Sequence, residues 1–181
     1  MSAVQTAVPT ATWQIDPVHS SIGFAVRHLG VSTYRGSFAG ASGTIDTSDG
    51  AISKVAGEVE LKDVVTSDTN LSGHLQSADF FDAANHPTAT FRSTSIVQDG
   101  DEVTIAGDLT LRGVTRPVSL TGELVGVVTD PYGNEKIGVE VSGTIDRTAF
   151  GISWNVPLAN GALTLAETVK LTLAVQAVRQ A

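Results

Sequence analysis

The chain offers few side chains for chemistry. Its four histidines, His19, His28, His74 and His86, are the candidates for acid–base or metal work. None has a histidine partner four residues away, and no H-E-x-x-H run occurs. The spacing that holds zinc on one helix face is therefore missing. His19 and His28 fall in one strand region, and His74 and His86 fall around a short helical segment. Histidines in such settings donate hydrogen bonds to loop carbonyls or to the polar head of a ligand. His28 and His74 are the two expected to meet a head group. Asp79 and Asp82 flank Phe80 and Phe81 and imitate the carboxylate pair of an acid–base enzyme. Helix capping explains both more simply. Arg112 and Arg147 sit at strand ends beside turns, where surface charge or a turn hydrogen bond accounts for them. No G-x-S-x-G elbow, G-x-G-x-x-G loop or P-loop is present. With no cysteine, disulfides, thiol catalysis and thiolate metal sites are excluded. No catalytic residue, metal or cofactor is expected.

Charge narrows the partners. Eleven basic residues face 19 acidic ones, a formal net charge of −8. Nucleic-acid binders carry basic patches, so that class is disfavoured. Electrostatic docking on an anionic membrane is disfavoured for the same reason. A chain of 181 residues suggests one domain with a substantial core. Residues 1–11 are small and polar and are expected to form a disordered tail, with a single domain over 12–181. The opening "MSAVQTAVPTATW" has no Lys, no Arg and no apolar run. No secretory leader is expected from it, and the chain is expected in the cytoplasm. No stretch has the length and apolarity of a membrane-spanning helix.

The elements that must position these residues are strands. From Trp13 onward, apolar residues recur at every second position. Ile22, Phe24, Val26 and His28 share one face of "SSIGFAVRHL". Val55, Gly57, Val59 and Leu61 share another, as do Val103, Ile105, Gly107, Leu109 and Leu111. Val118, Leu120, Leu124 and Val128 are assigned to one side of the next run. Turn clusters such as "QDGDE" and "DPYGNEK" separate the runs, giving about eight long antiparallel strands. With no long helix to cover them, the apolar faces must bury each other in a sandwich or a closed barrel. Gly36, Gly40, Gly43, Gly57, Gly107, Gly122 and Gly143 fall within strand runs and favour the barrel, where sharp bends need them. An eight-stranded barrel is wide enough to hold one small ligand. Its small inward side chains either pack solid or leave an apolar tube.

One segment breaks the alternation. In "SDTNLSGHLQSADFFDAANHP", Ser67, Asp68 or Thr69 can cap a helix that carries Leu71, His74 and Leu75. Ser77 or Asp79 can cap a second turn with Phe80 and Phe81, which Pro87 then stops. Two short helices over a barrel mouth would bury Leu75, Phe80 and Phe81, either as a plug or as a lid over a cavity.

The motifs carry a resemblance. "WQIDPVHSSIGFAVRHLGVSTYRGSFAGASGTID" resembles the opening of the YceI-like family of polyisoprenoid-binding proteins, through Asp16, His19, Ser20, Ile22, Phe24, Val26, His28, Gly36, Phe38 and Gly40. "HLQSADFFDAANHPTATFRS" is similar to the family's central signature, and "GDLTLRGVTRPVSL" and "IDRTAFGISW" to its later ones. The likeness covers nearly all of residues 13–178. It implies an elongated, eight-stranded, lipocalin-like antiparallel barrel with a short helical lid. It implies an apolar tunnel that holds a long isoprenoid chain, binding rather than catalysis, and a homodimer. The family usually has Arg-Asp just before the helical His-Leu; Leu71 and Ser72 stand there in this chain.

The expected ligand is a polyprenyl quinone or polyprenyl phosphate. The expected wall is Ile22, Phe24, Val26, His28, Phe38, His74, Leu75, Phe80, Phe81, Phe91, Phe150, Ile152 and Trp154, with Trp13 structural in the first strand. Only Arg92, His28 and His74 are assigned near the lid as donors, so an uncharged head group is expected. The rival readings are an enzyme or accessory factor of isoprenoid metabolism using His28 or His74, and a packed barrel serving as an interaction module.

Overall fold

The computed structural model describes residues 7–181. The alternating runs form one antiparallel sheet: β1 (Ala11–Ile15), β2 (Ser21–His28), β3 (Ser32–Phe38), β4 (Ser42–Ser48), β5 (Ala51–Glu60), β6 (Val64–Val65), β7 (Thr88–Asp99), β8 (Glu102–Leu111), β9 (Val114–Thr129), β10 (Glu135–Asp146) and β11 (Leu165–Arg179). The sheet closes because β1 and β2 lie end to end along β11. Ile15 pairs with Ala177, and Ser21 pairs with Ala174. β3 and β4 likewise run end to end, beside β2 and β1. The segments thus make eight staves: β1 with β2, β3 with β4, then β5, β7, β8, β9, β10 and β11. This is the closed barrel and not a sandwich. Closure removes the long sheet edges and buries one face of every stave.

The barrel has two different ends. At the far end, Trp13 is fully buried and donates its indole N–H to Thr47 Oγ1 at 2.9 Å. Around it Ile52, Val103, Leu124, Val127, Ile137 and Ala177 pack into a solid core. At the other end the helix α1 (Thr69–Gln76) and residues 77–87 cross between β6 and β7. Asp68 caps α1 by accepting from Asn70 N and Leu71 N. Leu61, Val64, Leu75, Phe80, Leu111, Phe150 and Ile152 form a second core beneath this segment.

Two glycines shape the interior. A Cβ on Gly36 would lie 2.3 Å from Phe24 Cζ, and one on Gly107 would lie 2.4 Å from Phe91 Cζ. Each glycine gives an aromatic ring room to lie flat across the neighbouring strand.

Several expectations change. The second helical turn does not form. Asp82 takes a left-handed φ of 51°, which interrupts helix propagation. Arg112 Nη1 donates to the carbonyls of Ala78 and Phe80 at 2.6 and 2.7 Å, taking the acceptors a helix would have used. Neither Asp79 nor Asp82 caps a helix: Asp79 meets His74, and Asp82 accepts from Asn85 Nδ2. Val128 points outward, 62% exposed, because a register shift after Leu124 turns Val127 inward. Gly40 lies in the bend between β3 and β4, not in a strand. Of the tail expected over 1–11, residues 1–6 lie outside the described residues. Val8 packs on the core and Ala11 opens β1.

Candidate ligand cavity

A cavity of about 510 Å³ lies between the far-end core and the lid. Its volume falls within the roughly 300–1,000 Å³ of pockets that enclose small-molecule ligands. Each stave contributes its inward residues, since side chains alternate across a strand. β2 supplies Ile22, Phe24, Val26 and His28, and β3 supplies Phe38. Phe91, His74, Leu75, Phe80, Phe81, Ile152 and Trp154 also line it. Val139, Val141, Ile145, Val169, Leu171, Leu173 and Val175 complete the aliphatic wall from β10 and β11. Phe150 does not line the cavity. It is 1% exposed, within the sub-lid core. Residues 147–150 form a 3-10 turn, so the alternation that assigned Phe150 to the wall does not hold there.

The adjacent phenylalanines have separate neighbours. Phe81 packs against Phe24 and Phe38, with ring centroids 6.2 and 5.6 Å away. Phe80 packs against His74 and Trp154 at 4.9 and 5.3 Å. One short segment therefore bridges two walls of the barrel. Arg112 fixes its backbone from the β8–β9 turn.

Polar groups in the wall are few and cluster toward the lid. His74 meets Asp79 Oδ2 through Nε2 at 3.0 Å. The His28 ring lines the cavity without a hydrogen-bond partner among the described residues. Tyr34 reaches in from β3, and its hydroxyl is buried near Thr66 but outside hydrogen-bonding geometry. Burial pushes this phenol's pKa up. The four histidines do not gather: His19 pairs with Asp16, and His86 lies beside Gly113 and Asp82. No cluster of metal-ligating side chains occurs among the described residues.

The cations differ from expectation. Arg92 sits on the outer face of β7 and is exposed, so it is no part of the site. Arg147 is 4% exposed and lines the cavity. Its guanidinium donates to the carbonyls of Ala166, Ile152, Trp154 and Leu165 at 2.9, 2.8, 2.9 and 3.4 Å. Burial lowers its pKa, while the charges of Glu167 and Asp146 oppose that shift. It is a clasp that ties residues 152–154 to β11. Sequence reasoning missed this because an arginine beside a turn carries no mark of burial. The alternation of "LTLAETVKLTLAVQAV" marks β11 as a strand with one apolar face, but none of its residues was among the expected wall residues.

A closed antiparallel barrel with a lidded apolar cavity defines a lipocalin-like class of fold. The family model of the YceI-like domain matches residues 13–177. The chain is 39% identical to protein YceI of Escherichia coli O6:H1 over 164 residues, covering 90% of this chain and 83% of that protein. It belongs to the YceI-like family. The Campylobacter jejuni YceI crystal structure matches with a TM-score of 0.73 at 29% identity, over 86% of this chain and 90% of that one. A structure from Saccharophagus degradans, described as a polyisoprenoid binding domain implicated in plant cell wall breakdown, shares the fold. Its TM-score is 0.66 at 16% identity, over 95% of this chain and all of that one. Among the described residues, no helix is long and apolar enough to cross a membrane.

Proposed function

We propose that this protein binds a long-chain isoprenoid lipid inside the barrel, as a store or carrier, and performs no reaction on it. The observation that carries this reading is the cavity, about 510 Å³ and walled mainly by Val, Leu, Ile and Phe. Such a wall suits a chain that offers only apolar surface, and burial at about 25 cal/mol per Å² supplies the affinity before association costs are subtracted. The Saccharophagus neighbour, described as binding polyisoprenoids, supports the reading. The same cavity speaks against a solid barrel acting as an interaction module.

The head group in this reading is uncharged, a quinone and not a diphosphate. A diphosphate wants several cationic or backbone donors. Arg147 is the lining cation, and it already serves four carbonyls. His28 and the Tyr34 hydroxyl can serve one carbonyl each. The cytoplasmic setting and the homodimer belong to the same proposal, tested by fractionation and by sedimentation. Titration with a polyprenyl quinone, followed by Trp154 fluorescence and competed with a polyprenyl diphosphate of equal tail length, tests the head group. The quinone should bind tighter. A tighter diphosphate, weakening as salt rises, would refute the assignment.

A further inference from the structure

We propose that the β2–β3 turn and the loop over residues 154–164 form a docking surface for a zwitterionic lipid bilayer, across which the ligand enters and leaves the barrel. This rests on the lipid-binding reading above. Four large apolar side chains are exposed here: Leu29 at 42%, Val31 at 81%, Val156 at 48% and Leu163 at 46%. Hydrogen bonds join their segments into one surface. Leu29 N donates to Thr164 O at 2.8 Å, Thr164 N donates to Val156 O at 3.1 Å, and Pro157 bridges to Leu163. The surface borders the cavity, because His28, Ser32 and Thr164 line it and adjoin Leu29, Val31 and Leu163 in the chain.

Leu29 is the telling residue. Its φ is 54° and that of Gly30 is 71°, and Val31 N closes the turn on His28 O. Such a turn favours Asn, Asp or Gly at both central positions. A leucine there strains the backbone and leaves its side chain in water. Neither turn formation nor core packing accounts for it, whereas a surface that takes up the side chain does.

Charge points to the same occupant. The chain has 19 carboxylates, yet none falls in residues 17–45 or 147–166. The turns at the opposite end carry Asp49, Asp99, Asp101, Glu102, Asp130 and Glu135. On the lid side of the mouth, Asp68 caps α1 and Asp79 holds His74. The proposed surface thus offers apolar tips flanked by Arg27 and Arg35, on a molecule whose net charge disfavours anionic membranes. A stable dimer buries roughly 1,200–2,000 Å² in total, more than a few turn side chains provide. Apolar turn tips suit insertion among lipid head groups.

The test compares the full chain with the variant Leu29→Asn, Val31→Thr, Leu163→Thr. Asn suits the turn, so an unchanged melting curve should show that the variant folds. Tyr132→Ser, at the far end, is the control. Flotation with phosphatidylcholine vesicles and the rate of prenyl-quinone transfer from those vesicles are measured. Affinity for the same quinone delivered from detergent is measured separately. The proposal expects flotation and transfer rate to fall at least about tenfold in the triple variant, with detergent-delivered affinity and the control unchanged. A wild-type chain that does not float, or a variant that floats and loads equally well, overturns it. So does a vesicle-free dimer that the substitutions dissociate, which would make the surface a contact between copies. Wild-type flotation, lost in the variant, with no quinone uptake from detergent would uphold the docking surface and sink the lipid-binding reading alone.

Discussion

Truncating the two lid phenylalanines one at a time should separate stability from ligand retention. Phe80 is 6% exposed and packs on His74 and Trp154. Buried Phe→Ala changes cost about 3–5 kcal/mol. Phe80 borders the cavity on one side and packs against fewer protein atoms than a residue inside a solid core, so the low end, about 3 kcal/mol, applies. At about 2–4 °C per kcal/mol for a chain of this size, Phe80→Ala should lower Tm by about 6–12 °C. Phe81 is half-buried and rests on Phe24 and Phe38, both wall residues. Its truncation should cost about half as much stability. It should also remove about 1.4 kcal/mol of ligand contact, a tenfold faster release. Calorimetry gives the first quantity, and stopped-flow displacement of a fluorescent prenyl ligand gives the second. Equal Tm losses, with release unchanged in Phe81→Ala, would mean that the segment is a plug remote from the ligand's path.

Val26→Gln places an amide in the middle of the β2 wall and should abolish prenyl-lipid uptake while the far-UV spectrum stays strand-like; undiminished uptake would place the ligand elsewhere. Arg147→Met should destabilise the fold by about 3 kcal/mol in denaturant titration, because the carbonyls it serves lose their donors. Arg147→Lys should rescue little of this, since an ammonium cannot span the same acceptors. Bonds from the Asn134 and Tyr132 amides hold the Asp130 carboxyl down at about 2, against an ordinary 3.8. A folded-state pKa depressed in this way stabilises the hairpin fully above 3.8 and progressively less as pH falls toward 2. Amide protection at Tyr132 and Asn134 should drop across that window, and Asp130→Asn should abolish the dependence.

Period-two alternation made the staves legible, because one buried face per strand leaves that signature in any closed sheet. It placed Ile22, Phe24, Val26 and His28 on the cavity side, where they lie. It failed where the backbone leaves the ladder. The register shift after Leu124 reversed Val128, and the 3-10 turn at 147–150 removed Phe150 from the wall. The interruption of the first stave at residues 16–20 has its own local chemistry. Asp16 accepts from Val18 N, and Ser20 Oγ donates to Gln176 O. Partners 156 positions apart leave no local pattern. The same holds for Arg112 and Arg147, whose roles depend on carbonyls that only the folded chain brings near. The cap of α1 was legible to within Ser67, Asp68 or Thr69 because capping is local, and Asp68 is the one that fills it. The second helical turn was not excluded, because its competitor for the Ala78 and Phe80 carbonyls lies across the mouth.

The most direct test is to extract the purified protein with organic solvent and analyse the extract by mass spectrometry, beside the Val26→Gln variant prepared identically. A prenyl lipid recovered from the parent chain at near-equimolar amounts, and missing from the variant, is the result this account predicts. An extract free of prenyl lipid from a parent chain that also takes up no added polyprenyl quinone would contradict it.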